Sequence, residues 1–142
     1  MKGEPTVPLL SAIPALPVRN MEKSIPFYRD QLGFHLRHHD GGFAIFDRDA
    51  VELHIWQTTD ESWQTRGVQI PVSGAETFIA GTASCRIGVT EVEALYATIQ
   101  PHGVVHPHAP LSQKPWGTHE FGVLDPDNNL IIFCERVPQF QP

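Results

Sequence analysis

The sequence predicts an α+β chain made of two half-modules of the same order, β-α-β-β-β, folded against each other. Three observations predict it. Residues 12–34, AIPALPVRNMEKSIPFYRDQLGF, read as a strand, a capped amphipathic helix and a glycine stop. A weaker copy, SCRIGVTEVEALYATIQPHGV, returns at residues 84–104. Each copy is followed by short segments of β character separated by turn residues. Two unrelated stretches agreeing in order and in cap position argue for a repeat more strongly than either does alone. Function is then to be sought in the space that such paired sheets enclose.

Taken in order, residues 1–10 form a loose arm. Residues 11–18 alternate weakly and carry Pro14 and Pro17, neither of which can donate to a ladder, so a strand here belongs at a sheet edge. Asn20 caps the helix that follows, and Met21, Ile25, Tyr28 and Leu32 fall on one face. Pro26 conflicts with that helix, because a proline past the first turn removes a hydrogen bond and kinks the axis. Gly33 stops it. A strand over 34–37 leads to a turn at Asp40-Gly41-Gly42, a strand over 43–46, a turn at 47–49, and the alternating VELHIW of 51–56. In that last strand Glu52, His54 and Trp56 share one face, and Val51, Leu53 and Ile55 the other.

Residues 57–82 form a long insert punctuated by glycine and proline, which either carries function or hides an element, such as a short helix over 73–80. In the second copy Thr90 and Glu93 have the spacing of a capping box. Val92, Leu95, Tyr96 and Ile99 give its helical stripe, and Gly103 ends it. A proline-rich passage then leads to GTHEFGVL, the turn DPDNN over 125–129, and LIIFCE. The expected organisation is therefore a single domain over 1–142, with one module at about 11–57, an insert at 57–82 and a second module at about 83–136.

Composition narrows the function classes. With 142 residues, 41% of them hydrophobic, the chain can bury a sizeable core. A formal charge of −6 argues against nucleic acid, whose phosphates need a basic patch, and is compatible with a cationic ligand. Cys85 and Cys134 each lie in an apolar strand-like run, so buried free thiols are expected rather than a disulfide. The first residues carry no apolar signal region and no apolar run approaches the ~18 residues of a membrane span, so a soluble cytoplasmic protein is expected. No nucleophile-elbow, Walker or dinucleotide glycine pattern appears.

The motifs SAIPALPVRNMEKSIPFYRDQLGF, GGFAIFDRDAVELHIW, LYATI and, above all, KPWGTHEFGVLDPDNNLIIF carry a family resemblance. Through them the chain resembles the vicinal oxygen chelate superfamily of glyoxalases, ring-cleaving dioxygenases and bleomycin resistance proteins, the last most closely. The resemblance spans about residues 11–135 and omits most of the insert. It implies paired βαβββ modules, each a curved mixed sheet forming half of a cleft. It also implies a homodimer, often with an exchanged N-terminal strand, and Pro14 is compatible with such an arm.

Enzymes of that superfamily typically hold a divalent metal with His or Glu at four equivalent strand positions. Counting along the repeated frame places those positions at Ile13, Glu52, Ser84 and Ile132. An isoleucine cannot ligate, and one carboxylate with one hydroxyl would not hold a divalent ion. A relocated site built from Glu52, His54, His119 and Glu120 is the remaining metal reading, although neighbours His119 and Glu120 point to opposite faces of a strand. His38, His39, His102, His106 and His108 are expected in solvated turns or loops.

In the bleomycin resistance branch a cationic glycopeptide lies in a groove at the dimer interface and is sequestered without being modified, with no cofactor. Carried over by motif, Phe43 of GGFAIF and Trp116-Gly117 of KPWG match groove positions, with core packing as the alternative for both rings. Trp56 stands where those relatives have a small polar residue, so it either adds a stacking surface or fills part of the groove. Glu52, His54, Trp63 and Glu120 complete the candidate ligand-binding set. Asp40, Glu52, Asp60, Glu61 and Glu120 are candidate sources of negative potential. Sequestration of a bleomycin-type antibiotic is the leading expectation; a lyase, isomerase or dioxygenase with an atypical metal site is the alternative.

Overall fold

The structure, a computed structural model, describes residues 6–58, 81 and 83–138. Two four-stranded mixed sheets of identical topology carry the repeat. In the first, β1 (Ala15–Val18), β2 (His35–Asp40), β3 (Phe43–Arg48) and β4 (Val51–Gln57) take the order β1-β4-β3-β2. In the second, β5 (Ser84–Gly88), β6 (Ser112–Gln113), β7 (Thr118–Leu124) and β8 (Leu130–Arg136) take the order β5-β8-β7-β6. β1 runs parallel to β4 and β5 parallel to β8, and the remaining pairs are antiparallel. No helix among the described residues is long and apolar enough to cross a membrane.

β1 tolerates its prolines because of where it lies. The His54 N–H donates to the Pro14 carbonyl at 3.0 Å and the Thr58 N–H to the Val18 carbonyl at 2.9 Å, so these residues face β4. Pro17 alternates with them, and its missing donor falls on the open edge. The Pro17 carbonyl is instead taken by the Asn129 side-chain amide at 2.7 Å.

The helix after β1 starts at Asn20, whose side chain accepts the Glu22 N–H at 2.9 Å, as expected of a cap. Pro26 produces a change of helix type in place of the expected kink. The α-helix α1 (Met21–Pro26) passes into a π-helical turn over Phe27–Gln31, with the Leu32 N–H reaching back to the Phe27 carbonyl at 3.0 Å. Proline has no N–H to close the preceding turn, and the wider helix accommodates the lost bond. Met21, Ile25, Tyr28 and Leu32 are all buried against Leu16, Ala44, Phe46, Leu53 and Ile55, so the predicted stripe holds.

β2 extends further than expected, because the two-residue turn Gly41-Gly42 lets Asp40 pair directly with Phe43. His38 and His39 therefore lie in a strand and not in a turn. A register shift between Leu36 and His38 marks a bulge at Arg37.

In the second module α2 (Val92–Ile99) buries Val92 and Ile99 and half-buries Leu95 and Tyr96. Its cap differs from the sequence reading. The N-cap residue is Glu91, it makes no side-chain cap bond, and the Val92 N–H is taken by the Glu135 carboxylate of β8 at 3.2 Å. Cys85 and Cys134 are free and half-buried, and burial pushes the Cys85 thiol up to about 11.

The DPDNN turn joins the two modules. The Asp125 carboxylate accepts the backbone N–H groups of Asp127 and Asn129 at 2.9 and 2.8 Å, the Asn129 amide at 2.9 Å, and the Tyr28 hydroxyl at 2.7 Å. Burial, and then the charge of Asp125, raise the Tyr28 pKa well above that of an ordinary phenol, so this hydroxyl remains a donor. Asp127 accepts the Arg19 N–H at 3.1 Å, tying the turn to the start of the first helix.

Candidate functional site

Each sheet buries one face under its helix and leaves the other half-open, and the polar and aromatic candidates lie on the open faces. In β4, Leu53 and Ile55 are fully buried while Glu52, His54 and Trp56 lie between burial and exposure, as the alternation predicts. β3 is paired so that Phe43 faces Trp56, Ile45 faces His54 and Asp47 faces Glu52. The resulting row places the Phe43 and Trp56 rings 4.2 Å apart, tilted by 39°. His54 meets Phe43 edge-on at 5.1 Å, and His38 lies 6.1 Å away on its other side. Phe43 is half-buried and stacked, so it is a surface aromatic of the sheet rather than part of the core.

The charges on this face are ordered. His54 Nε2 lies 2.6 Å from Glu52 Oε2, and Arg37 reaches Glu52 at 3.1 Å and Asp47 at 3.3 Å. The hydrogen bond from His54, aided by Arg37, holds the Glu52 carboxyl below its ordinary range. Asp40 accepts the Gly42 N–H, which together with neighbouring His38 lowers its carboxyl likewise. Three carboxylates, Asp40, Asp47 and Glu52, thus stand against one guanidinium. The face is acidic and aromatic together. Arg37 and Asp47 were missed from the sequence: Arg37 alternates with the inward-facing Leu36 and so lies on the Glu52 side, and the bulge keeps His38 on that side as well.

The open face of the second sheet is built differently. Trp116 sits at the tip of a tight turn, where the Gly117 N–H donates to the Lys114 carbonyl at 3.1 Å and the Lys114 N–H to the Thr118 carbonyl at 2.7 Å. Gly117 has φ +97°, a left-handed conformation that a side chain would resist, and this gives the glycine of KPWG a structural reason. Trp116 is 65% exposed, so it is not the core residue under the proline-rich loop. Its Nε1 lies 3.4 Å from Glu120 Oε1, and the Lys114 ammonium is 6.0 Å from the ring centroid.

Glu120 departs from its expected role. It is 5% exposed, and its carboxylate takes Arg86 at 2.6 and 3.4 Å and the Thr118 hydroxyl at 2.5 Å. Burial opposes ionisation, but the bonds from Arg86, Thr118 and Trp116 outweigh it and hold the carboxyl low. The charge is answered inside the protein, so Glu120 adds little negative potential outside it. Arg86 was not singled out, though its place two residues after Ser84 puts it on the open face of β5. Beside it, Gly122 lets the proline-rich loop close onto β7: a Cβ there would lie 3.0 Å from Leu130 and 3.2 Å from Ala109. Trp63, Asp60, Glu61 and the helix expected over 73–80 lie outside the described residues.

The superfamily's metal chemistry does not fit these residues. Of the four framed positions, Ile13 and Ile132 have no donor atom, and Glu52 is already engaged by His54 and Arg37. The relocated set is not assembled either. His119 lies on the helix side of β7, 3.9 Å from Glu93, while Glu120 faces the opposite way. Among the described residues no group of three or more His, Cys, Asp or Glu is placed to hold an ion.

Twin βαβββ modules with open, chemically distinct sheet faces define an α+β fold of paired half-modules. The glyoxalase/bleomycin resistance protein/dioxygenase superfamily model matches residues 11–133, and the chain belongs to that superfamily. A bleomycin resistance protein of Geobacillus stearothermophilus is 49% identical over 130 residues, covering 91% of this chain and 98% of the relative, and one of Staphylococcus aureus matches equally. Among solved structures, the bleomycin-binding protein of bleomycin-producing Streptomyces verticillus, complexed with copper(II)-bleomycin, superposes with a TM-score of 0.69. It is 27% identical, and the match covers 90% of this chain and 97% of that one. A bleomycin resistance determinant encoded on transposon Tn5 shares the fold at a TM-score of 0.65 and 20% identity, with 90% and 98% covered.

Proposed function

We propose that this protein binds a bleomycin-type cationic glycopeptide antibiotic and confers resistance by sequestering it, without chemical change to the drug. The observation that carries this reading is the open face of the first sheet, where the Phe43–Trp56 stack adjoins Asp40, Asp47 and Glu52. A flat ring laid on such a surface gains about 0.5–1.5 kcal/mol beyond area burial. A cation held over a ring adds about 0.5–2 kcal/mol. A few contacts of this kind with acidic steering suffice for micromolar affinity, about −8 kcal/mol. The 49% identity to bleomycin resistance proteins over nearly their full length supports the same ligand. Among the described residues a metalloenzyme reading finds no donor set, and the protein is read as a binding protein with no cofactor.

The proposed ligand-binding residues are Phe43, Glu52, His54 and Trp56 from the first sheet and Trp116 and Gly117 from the second, with Glu120 behind them as the acceptor of the Trp116 indole N–H and Trp63 of the insert added from the sequence. The two groups lie on separate sheets, which fits a groove formed between two copies of the chain, each giving one sheet to each groove. The N-terminal arm supports such a homodimer. Val7, Leu9 and Leu10 are 81–96% exposed and Ile13 is 43% exposed, apolar surface that exchange of the arm between copies would cover. The module bounds, about 11–57 and 83–136 within one domain, and a cytoplasmic location complete the proposal.

Calorimetric titration with metal-free and copper-loaded bleomycin tests it, with mass spectrometry of the recovered drug. Expected are two equivalents per dimer and unaltered drug. No heat with protein tens of times above micromolar levels would reduce the reading to a likeness of fold.

A further inference from the structure

The geometry points to Glu120 and Arg86 as positioning residues that act on a ligand through Trp116, an inference that rests on the drug-binding reading above. Trp116 combines two properties that are seldom found together. It is 65% exposed, yet its indole N–H is directed at a carboxylate that is itself 5% exposed. That carboxylate has no freedom to follow a ligand. Arg86 holds both of its oxygens, at 2.6 and 3.4 Å, and Thr118 holds Oε1 at 2.5 Å. The turn completes the mount, with Pro115 fixing one backbone angle and Gly117 supplying the left-handed one.

The physical consequence is preorganisation. An exposed tryptophan ordinarily samples several rotamers, and a ligand stacking on it must hold one of them. Anchoring the N–H edge to a fixed acceptor selects an orientation before binding while leaving the ring surface open. Arg86 makes this possible by neutralising Glu120, which otherwise would be a buried, uncompensated charge. Glu120 is then not an electrostatic partner of the cationic drug. Its charge is spent within the protein, and the acidic attraction comes from Asp40, Asp47 and Glu52 on the other sheet.

Two measurements on the intact protein test this. In ¹H–¹⁵N spectra the Trp116 indole signal, assigned by its loss in Trp116→Phe, should shift and broaden in Glu120→Gln. It should do the same in the unaltered protein as pH falls below 4.5, the ordinary Glu value, because the lowered Glu120 carboxyl then takes up its proton. In calorimetry with bleomycin, Glu120→Gln should weaken binding about three- to tenfold, the scale of one lost hydrogen bond plus one freed side chain. In a Trp116→Ala background the same substitution should change affinity less than about twofold, the two effects being coupled.

Equal losses in both backgrounds would mean that Glu120 meets the ligand directly and would overturn the inference. An indole signal indifferent to Glu120→Gln would overturn it as well. Should Glu120→Gln not fold, Arg86→Lys, which keeps the charge but not the two-pronged grip, must move the same signal. If the unaltered protein binds no bleomycin, the drug-binding reading fails, and the indole signal still decides whether Glu120 and Arg86 orient Trp116.

Discussion

The two modules share a topology but spend their turns and open faces on different tasks. In the first, the β3–β4 turn is Asp49-Ala50, exposed, with Asp49 at φ +53° and its carboxylate 3.9 Å from Arg48 of the same module. In the second, the equivalent turn is DPDNN, where Asp125 and Asn129 are buried at 3% and 0% exposure and bonded to Tyr28 and Pro17 of the first module. The open faces diverge in the same manner. The first leaves its rings stacked on one another among carboxylates, whereas the second pairs the buried carboxylate of Glu120 with Arg86 and lifts one tryptophan into solvent. Duplicated frames need only the buried apolar pattern in common. What lies at the turns and on the open faces is free to specialise, and here the second turn fastens the halves together while the first sheet holds the acidic aromatic surface.

The largest test of that comparison is at the turns. Asn129→Ala removes bonds to Pro17, Asp125, Gly81 and Ala83 in one buried place. It should cost about 3–4 kcal/mol, since each orphaned buried group adds its own desolvation penalty. Asp49→Gly in the first turn should change stability by less than about 1 kcal/mol, because glycine accepts the positive φ without strain. Urea unfolding of both variants makes the comparison, and similar losses would refute the division of labour. Tyr28→Phe should fall between them, at about 1.5–3 kcal/mol for one bond to a carboxylate.

Next in size is the contrast between the open faces. Phe43→Ala and Trp56→Ala should each weaken bleomycin binding at least tenfold, about 1.4 kcal/mol, with the fold and assembly retained. Because the rings lie 4.2 Å apart, the double variant should lose less than the sum. Trp116→Ala should also lose at least tenfold, but its loss should add to those of the first sheet, since its described contacts are with Glu120 and Lys114 instead. Additivity within the Phe43–Trp56 pair, or strong coupling of either ring to Trp116, would redraw the site.

These contrasts also show why some of the molecule was legible in advance. The repeated order, the buried stripe of Met21, Ile25, Tyr28 and Leu32, and the shared face of Glu52, His54 and Trp56 follow from periods of 3.6 and 2, which any chain displays locally. The likeness to bleomycin resistance proteins was carried by whole motifs and agrees with the relatives found. Arg37 escaped because its partners, Asp47 and Glu52, lie on β3 and β4, and no local signal announces that pairing. The role of Glu120 was misjudged because its partner, Arg86, lies 34 residues away on a strand that is not its neighbour. The extent of β2 was underestimated because HLRHHD is polar but for Leu36, and an edge strand exposed beyond that residue has no sustained hydrophobic alternation to read.

The smallest predicted effect separates the two helices. α1 is capped from within its own sequence, by the Asn20 side chain on the Glu22 N–H. α2 borrows its acceptor from β8, 43 residues on, where Glu135 takes the Val92 N–H. Asn20→Ala and Glu135→Ala should therefore cost a similar amount, about 1 kcal/mol each, one N-terminal donor being orphaned in both cases. They should differ in how the loss appears. A local cap is present whenever the helix is, so Asn20→Ala acts on α1 itself. The Glu135 cap exists only once α2 has docked on its sheet, so Glu135→Ala should speed unfolding with little effect on the folding rate, provided docking follows the rate-limiting step. Glu135→Gln keeps an acceptor but removes the charge that faces the helix N-terminus. It should recover part of the loss and leave a remainder of about 0.3–1 kcal/mol that shrinks as salt is added. Full recovery in Gln would assign the cap to the hydrogen bond alone, and no recovery would assign it to charge.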